Sequence, residues 1–417
     1  MASQDLQSHD LHDVAVIGAG LAGLALALSL AETGVDVMVL DRGDGTPSAD
    51  PIRTTTINTT SYAQLARIGM IDRMAAANSP ITPVHQINVT DHQSRSEIGA
   101  KFAPTLNVSD QLIRWQDGDA PLAWVFRNHD LEAVLHQACL DHPQITMKAK
   151  VTVTDYTPKH PQLGNIAAAI YAEDQAIYCA RLIVAADGAA SPIRVAAGLR
   201  SITRTPGQTA IVADIRTSKP HQHTAWQRFI PGGPVALMPL DDPHVMALVW
   251  TLKDADAATL LAADEGEFNH ALMAAVGDDF GRLELAGQRL HWSLKLNHAI
   301  KPYAERLVLA GDAAHAIHPL AGQGYNLAIG DAIAITSAVR SAQKTGADIG
   351  ARSVMMRYAR TRFVETAAMT AATDGLNALF SFGNKSAIAA AGVAMTLFNA
   401  TPLKQVAQKW AQGRSGK

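Results

Sequence analysis

The 417-residue sequence predicts an α/β protein with a discontinuous parallel-sheet domain, a β-rich domain inserted into it, and a helical C-terminal region. Three observations support this prediction. A strand, a glycine-rich turn, a helix and a second strand follow one another within residues 14–41. Two further short apolar runs end at Asp187-Gly188 and at Gly311-Asp312. Between about 205 and 298, apolar and polar residues alternate as they do in antiparallel strands.

The first unit is a βαβ motif. Val14–Ile17 is a short apolar run, and the apolar helical stretch Leu21–Ala31 ends where Gly34 is placed to stop it. Val35–Leu40 forms the next apolar run and closes on Asp41. Strands of such a unit are parallel, so we expect both to be buried on their two faces.

The remaining elements follow from the same patterns. After a loop over Gly43–Pro51, the first domain is predicted to contain a helix at Leu131–Cys139, strands at Ile145–Val153, Ile166–Tyr171, Leu182–Ala186 and Leu307–Ala310, and a helix at Asn326–Arg340. Predicted strands of the insertion include Ala210–Ile215, Ala225–Ile230, Val235–Leu240 and Met246–Leu252. The predicted domains are residues 1–75, 110–200 and 299–345 for nucleotide binding, 76–109 and 201–298 for the β-rich domain, and 346–417 for the helical region.

Composition excludes several classes of protein. Hydrophobic residues make up 48% of the chain and charged residues 18%, which excludes a disordered or fibrous protein. Lys and Arg number 35 against 38 Asp and Glu, so no basic excess points to nucleic acid. Cys139 and Cys179 lack CxxC spacing and are expected to be reduced thiols.

The sequence predicts neither a signal peptide nor a membrane-spanning stretch. The first twelve residues do not resemble a signal peptide, and no stretch reaches the roughly 18 apolar residues that span a bilayer. We therefore expect a cytoplasmic protein, peripheral to a membrane at most. The apolar run Ser386–Phe398 fits either helix packing or contact with a membrane surface or partner protein.

The glycine turn after the first strand has the GxGxxG spacing of a dinucleotide site, from Gly18 to Gly23. Gly18 permits the tight turn, Gly20 lets a pyrophosphate approach the backbone, and Gly23 lets the helix pack closely on the strand. The helix N-terminus adds partial positive charge for the phosphates. Asp41, at the end of the second strand, is placed to accept hydrogen bonds from a ribose. An unphosphorylated ribose indicates FAD or NAD.

A second glycine turn favours the flavin. Asp312 follows the run LVLA, at a strand end where ligands of open α/β sheets bind. Seven residues later, PLAGQGYN begins at Pro319 and opens a helix. A helix N-terminus aimed at an isoalloxazine ring would stabilise the negative charge of the reduced flavin, a need that an NAD enzyme does not have.

A third motif lies at another strand end. The pattern DGxxSxxR runs from Asp187 to Arg194. A plain turn in which Ser191 caps a short helix explains the same residues, and both interpretations can hold together.

These three motifs, in this order, make the chain resemble the class A flavoprotein monooxygenases, the family of para-hydroxybenzoate hydroxylase. The stretch from His318 to Asp331 is similar to HPxxGQGxNxGxxD of the ubiquinone-biosynthesis hydroxylases, with Ala328 at a usual glycine position. VFRNHDLEAVL around Arg127 matches the family's RxxL segment, and residues 226–240 resemble its substrate-domain hairpin. The resemblance covers nearly the whole chain.

The resemblance implies a Rossmann-like FAD-binding domain and a defined reaction. NAD(P)H binds transiently and reduces FAD, O₂ adds at flavin carbon C4a, and the hydroperoxide transfers one oxygen atom to an aromatic ring. The implied substrate is a polyprenyl phenol or quinol precursor of ubiquinone, and other proteins of that pathway are implied partners. Two alternatives stay open: a class A hydroxylase of another small aromatic compound, and a non-catalytic FAD-binding member of a biosynthetic complex.

The resemblance also implies roles for residues. Arg53 lies near the flavin, Arg127 lies along the cofactor, and Asp312 contacts its ribityl or pyrophosphate region. Asp41 holds the adenosine ribose, and Asp187 acts in the groove that FAD shares with the nicotinamide cofactor. The full implied set of cofactor-binding residues is Gly18, Ala19, Gly20, Gly23, Asp41, Arg42, Arg53, Arg127, Asp187, Gly311, Asp312, Pro319, Gly322, Gln323, Gly324 and Asn326.

Other candidates carry less information. Trp226, Arg228 and Phe229 are candidates for facing the substrate, although plain sheet packing is the more common role of such residues. His315 and His318 stand three apart without a third ligand nearby, so we expect hydrogen-bonded structural histidines and no metal site. No motif marks a catalytic side chain.

Overall fold

The computed structural model describes residues 11–47, 50–91, 111–319 and 322–382. The strands in these ranges are β1 Leu11–Ile17, β2 Val37–Leu40, β3 Thr54–Asn58, β4 Ile81–Val84, β5 Gln86–Asp91, β6 Gln111–Gln116, β7 Ala123–Arg127, β8 Ile145–Lys148, β9 Val153–Thr157, β10 Ala168–Ala172, β11 Ile177–Ala185, β12 Ser201–Arg204, β13 Gln208–Thr217, β14 Thr224–Ile230, β15 Gly233–Pro239, β16 Val245–Lys253, β17 Leu283–Leu285, β18 Leu290–Ser293, β19 Leu296–Ala299, β20 Tyr303–Ala304, β21 Leu307–Leu309 and β22 His315–Ala316. The helices are α1 Leu21–Ala31, α2 Thr59–Arg67, α3 Met70–Ala76, α4 Asn128–Asp141, α5 Pro192–Ala196, α6 Asp254–Ala262, α7 Glu265–Val276, α8 Gly324–Lys344 and α9 Arg352–Phe382, and Gly311–Ala313 forms a 3₁₀ turn.

The first sheet contains the predicted βαβ unit. Its main path runs β20-β21-β11-β1-β2-β8, and β1, β2, β8, β11 and β21 pair in parallel. Val14 and Val16 pack on the side of α1, whereas Ala15 and Ile17 face the opposite side with residues of β10 and β11. β1 is therefore buried on both faces, as its continuous apolar run predicts.

One predicted strand of this sheet is two strands in the structure. The expected element Ile145–Val153 is divided into β8 and β9, because the chain between them turns through Lys150, whose φ of 59° is left-handed. The backbone N–H of Lys150 donates to Gly43, and that of Val151 donates to Asp41. Through these bonds the chain leaves β8, which pairs in parallel with β2, and crosses the end of β2.

The second sheet contains the predicted insertion strands. Its main path runs β17-β13-β16-β15-β14-β5-β6, with β18 paired to β13, and α7 packs on one of its faces. The pairs are antiparallel except for β14 with β5. Two small sheets are formed by strands of the segments that connect the large sheets. Their strand orders are β3-β7-β4 and β12-β19-β22.

One strand belongs to a different sheet from the one that the predicted domain boundary implies. Residues from 110 onward were expected in the first domain, yet β6 pairs antiparallel with β5 and belongs to the second sheet. The reason is that the hydrogen bonds of β6 are made to β5, at the end of the second sheet's path. Elsewhere the division into domains stays a prediction.

The C-terminal part of the described chain is helical. α8 packs against α1, and α9 packs against α8 and strands of both large sheets. The Tyr358 hydroxyl donates to Leu309 of the first sheet, and Asn377 donates to Gln208 of the second. No helix of the described residues is long and apolar enough to cross a bilayer, and Ser386–Phe398 lies outside those residues.

Candidate functional site

The sequence motifs meet at one edge of the first sheet. Gly18 follows β1, Asp41 follows β2, Asp187 lies just beyond β11, and Asp312 lies just beyond β21. Because these four strands are parallel neighbours, their carboxyl ends share one edge. The pairing of β1 with β2 extends to this edge, since the N–H of Gly18 donates to the carbonyl of Leu40 at 2.8 Å.

The first glycine turn is closed by backbone contacts. Gly18 has a φ of +103°, and a Cβ there would lie 2.5 Å from the carbonyl oxygen of Ala186. A Cβ on Gly23 would overlap the carbonyl oxygen of Gly18. Gly20, in contrast, has no atom within 4 Å of its Cβ position. The turn is thus tightly packed against the protein on two sides and open at Gly20.

Asp41 has a role inside the protein. Its Oδ1 accepts from the N–H of Ala19 at 2.8 Å, and its Oδ2 accepts from the N–H of Gly43 at 2.6 Å. The carboxylate therefore fixes the shape of the turn, and sequence reasoning missed this function. Further acceptor positions on both oxygens stay available for a ribose. Arg42, the next residue, is exposed.

A cavity of about 1020 Å³ lies against this edge. Ligand and cofactor sites typically occupy about 300–1,000 Å³, so this cavity is slightly larger than that range. Gly20, Gly188 and Asp312 border it from the first sheet, and the loop and strand over residues 50–56 border it from the side. The second sheet provides an apolar wall made of Val212, Met238, Val249, Leu290 and Trp292.

Strand register explains the apolar wall. Val212 of β13 lies opposite both Val249 and Leu290, so the three side chains share one face. Trp292, two residues beyond Leu290, points to the same face. Sequence reasoning missed β18, although LHWSLKL over residues 290–296 alternates strictly between apolar and polar residues and predicts a strand.

Asp312 and Asp187 differ in position. The Asp312 side chain is exposed within the cavity, and the protein atoms crowded around it raise the pKa of its carboxyl. The carboxylate oxygens of Asp187 are buried, which raises the pKa of that group as well. Asp187 does not border the cavity, although its neighbours Ala186 and Gly188 do.

The DGxxSxxR motif has the structural role that was considered for it. The N–H of Arg194 donates to the Ser191 hydroxyl at 3.0 Å, which caps α5. The Arg194 guanidinium donates to the carbonyls of Ala313 at 2.8 Å and Ala189 at 2.7 Å. This arginine therefore joins the turn after β11 to the turn after β21.

The second glycine turn borders the cavity through Pro319, Gly322 and Gly324. Gln323 precedes the first residue of α8. Asn326 does not border the cavity: its Nδ2 donates to the carbonyl of Thr56 at 2.7 Å, and its Oδ1 accepts from the N–H of Asn58 at 2.9 Å. Asn326 therefore fixes β3, and with it one wall of the cavity.

The two predicted arginines are placed differently. Arg53 borders the cavity and lies over the Trp292 ring, with its guanidinium carbon 5.0 Å from the ring centroid. Arg127 does not border the cavity; its guanidinium donates to both oxygens of Asp214, at 2.9 and 2.8 Å. Because Arg127 ends β7 and Asp214 lies on β13, this ion pair links the small sheet to the second large one.

The residues that border the cavity do not include Trp226, Arg228 or Phe229. Trp226 is 3% exposed and packs edge-on against Phe280. Arg228 donates to the carbonyl of Val276 at 2.9 Å, at the C-terminal end of α7. Phe229 is buried as well. Trp226 and Arg228 lie on the sheet face that α7 covers, and the substrate role of the three residues stays a prediction.

The two histidines of the second turn are both buried. Burial lowers the pKa of His318 to about 4, so this side chain is neutral at physiological pH. Nε2 of His315 lies 2.7 Å from Oδ2 of Asp331. In the part of the chain that the structure describes, no group of three His, Cys, Asp or Glu side chains is arranged to hold a metal ion.

Comparison with known proteins identifies the family. The family model described as "FAD binding domain" matches residues 12–368. The chain belongs to this family. Ubiquinone hydroxylase UbiL of Rhodospirillum rubrum is 31% identical over 378 residues, covering 88% of this chain and 82% of that protein. The mitochondrial ubiquinone biosynthesis monooxygenase COQ6 of Danio rerio is 27% identical, covering 94% of this chain and 88% of that protein.

A solved structure has the same fold. The p-nitrophenol 4-monooxygenase PnpA from Pseudomonas putida DLL-E4 superposes with a TM-score of 0.73 at 18% identity, covering 98% of this chain and 99% of that one. The family membership means that this protein binds FAD, and the cavity suits that cofactor. Gly20 and Gly324 leave open space beside two helix N-termini, where backbone N–H groups favour negative charge.

Proposed function

We propose that this protein is an FAD-dependent monooxygenase that hydroxylates the aromatic ring of a polyprenyl phenol or quinol intermediate in ubiquinone biosynthesis. NAD(P)H is the reductant and O₂ is the source of the oxygen atom. The relatives named above support the reaction class and the pathway. The observation that carries the proposal is a cavity with two unlike walls, one of glycine turns and one of apolar side chains.

The glycine wall would hold FAD. We assign the pyrophosphate to the turn of Gly18, Ala19, Gly20 and Gly23, on the N-terminus of α1. We assign the adenosine ribose to Asp41, whose carboxylate oxygens can each accept a further hydrogen bond. Asp312, exposed in the same cavity, would contact the central part of the cofactor, and the N-terminus of α8 would face the flavin ring.

The apolar wall would hold the aromatic substrate. The side chains that supply this apolar surface are Val212, Met238, Val249, Leu290 and Trp292. When bound, FAD supplies the two electrons from NAD(P)H that split O₂, so that one oxygen atom enters the ring and the other leaves as water. The wall contributes by excluding solvent, because water diverts reduced-flavin oxygen chemistry toward hydrogen peroxide.

The test is substrate-stimulated oxidation of NAD(P)H by the full-length holoenzyme. We expect a polyprenyl phenol to accelerate oxidation, to yield a ring-hydroxylated product, and to incorporate one ¹⁸O atom from ¹⁸O₂. Equal acceleration by plain phenols would favour the alternative of a hydroxylase for another small aromatic compound. Bound FAD without acceleration by any phenol would favour the non-catalytic role.

We also propose peripheral membrane contact, because a polyprenyl substrate partitions into lipid. The test is cosedimentation with phospholipid vesicles, comparing the full chain with a chain that ends at residue 385. Binding that depends on the final segment supports the contact. Equal binding by both forms would contradict a role of the final segment, and no binding by either form would contradict membrane contact itself.

A further inference from the structure

Asp331, in the second turn of α8, lies outside the cavity but connects two of its walls. Its side chain is fully buried. Oδ2 accepts from the N–H of Gly311 at 2.9 Å and lies 2.7 Å from Nε2 of His315. Oδ1 accepts from Nε of Arg362 at 2.8 Å. One carboxylate therefore joins α8, the turn after β21, β22 and the C-terminal helix α9.

Arg362 extends this connection. Its side chain is 5% exposed, and besides Asp331 it donates to the carbonyl of Leu327 at 2.9 Å and contacts Glu365. The space is tight, because a Cβ on Gly330 would collide with the guanidinium group. α9 is thus attached to the first two turns of α8 by a buried guanidinium group.

The charges of the cluster compensate each other. Burial would raise the pKa of Asp331, but the cations of His315 and Arg362 hold it below its usual range. Burial opposes the charge on His315, yet the Asp331 carboxylate outweighs it and raises the pKa of that imidazole. A buried charge that loses its partners is strongly destabilising, so the members of the cluster fix one another's positions.

Two segments beside Asp331 border the cofactor cavity. Gly311 directly precedes Asp312, which borders the cavity, and a Cβ on Gly311 would lie 3.1 Å from Ala22 of α1 and 3.6 Å from Ala328 of α8. Gly324, Tyr325 and Ala328 of α8 border the same cavity. A displacement of Asp331 would therefore change the distance between the turn after β21 and the N-terminus of α8.

We propose that Asp331 is a positioning residue for FAD, and that Arg362 of the C-terminal helix sets FAD affinity through it although neither residue touches the cavity. The inference rests on the cofactor part of the proposed function and is independent of the substrate. It gives α9 a role in cofactor retention, although none of its described residues borders the cavity.

The test uses the full chain and measures the FAD dissociation constant by quenching of flavin fluorescence. The variants are Asp331→Asn and Arg362→Lys, which keep size or charge but lose the shared geometry. Arg357→Lys is the matched control, because Arg357 also joins α9 to α8, through the Ser341 hydroxyl at 2.7 Å, without reaching Asp331. We expect the first two to weaken FAD binding roughly tenfold, a usual size for coupling between sites, and the control to change it less than twofold.

Thermal unfolding with and without FAD separates positioning from general stability. A ligand stabilises the native state more when it binds more tightly, so a positioning role reduces the FAD-induced rise in Tm at a fixed FAD concentration. A lower Tm with an unchanged rise, or wild-type FAD affinity in Arg362→Lys, would overturn the inference. If Asp331→Asn does not fold, Arg362→Lys decides alone. Failure of the wild-type chain to bind FAD would instead contradict the proposed function.

Discussion

The two glycine turns border the same cavity but are held in place by different interactions. Backbone approaches and the nearby Asp41 carboxylate fix the turn from Gly18 to Gly23. The segment from Gly311 to Gly324 instead depends on the buried charges of Asp331 and Arg362, which lie further along the chain. The first turn is therefore specified by residues close to it in the chain, whereas the second depends on the packing of the C-terminal helix.

The largest predicted effect tests the local nature of the first turn. Gly23→Ala places a methyl group on the Gly18 carbonyl oxygen, and we expect a loss of about 3 kcal/mol or more in the free energy of unfolding, the upper end for overpacking. Gly20→Ala is the matched control, because its methyl group meets no protein atom. Urea unfolding should leave Gly20→Ala within about 1 kcal/mol of wild type. Equal losses in both variants would contradict this account.

The second prediction concerns the buried histidine of the second turn. The folded-state pKa of His318, about 4, lies below the value of roughly 6.5 for an unfolded chain, so the unfolded state binds the proton first. Stability should therefore fall by about 3 kcal/mol as pH drops from about 6.5 to 4. His318→Leu should remove that part of the acid dependence, and His129→Leu, at a half-buried site, should not. Identical pH profiles of unfolding for wild type and His318→Leu would contradict the assignment.

A smaller effect separates two glycines of the second turn. Gly322 has a φ of +62°, and a Cβ there would lie 3.2 Å from Thr56, so Gly322→Ala should cost about 1–2 kcal/mol. Gly324, in the first turn of α8, meets nothing within 4 Å, and Gly324→Ala should cost less than about 0.5 kcal/mol. Chemical unfolding of the apoproteins checks both. A larger loss for Gly324→Ala would show that the turn is held in another way.

The smallest effect belongs to the ion pair between the sheets. Arg127 and Asp214 are each about 20% exposed, so Asp214→Asn should cost about 1 kcal/mol, and the loss should shrink at high salt. Asp242→Asn, at a more exposed pair with Arg216, is the control and should cost less. Unfolding at low and high ionic strength measures the difference. A loss that does not depend on salt would mean that Asp214 acts through packing.

Local patterns were enough to predict the βαβ unit and the edge at which the motifs meet. Gly18, Asp41, Asp187 and Asp312 each follow an apolar run, and parallel pairing brings such positions together. The residues that complete the site depend on pairings across the chain. Trp292 reaches the cavity only because β18 pairs with β13, and no motif indicates which strand it joins.

Other positions in the fold have the same explanation. Trp226 and Arg228 lie on a predicted strand, but the face that α7 covers depends on the fold as a whole. Asp331 stands at the end of a recognisable motif, whereas its partner Arg362 lies 31 positions later on a helix without a signature. Sequence patterns locate the turns, but they do not show which distant side chains support them.

The most direct test of the account is a titration of the full-length apoprotein with FAD, followed by flavin fluorescence, for wild type and Gly20→Ala. We predict saturable binding of one FAD per chain, and weaker binding by Gly20→Ala, whose methyl group enters the cavity without disturbing the fold. Absence of saturable binding by the wild-type chain, or equal affinity in both proteins, would contradict the placement of FAD on the first glycine turn.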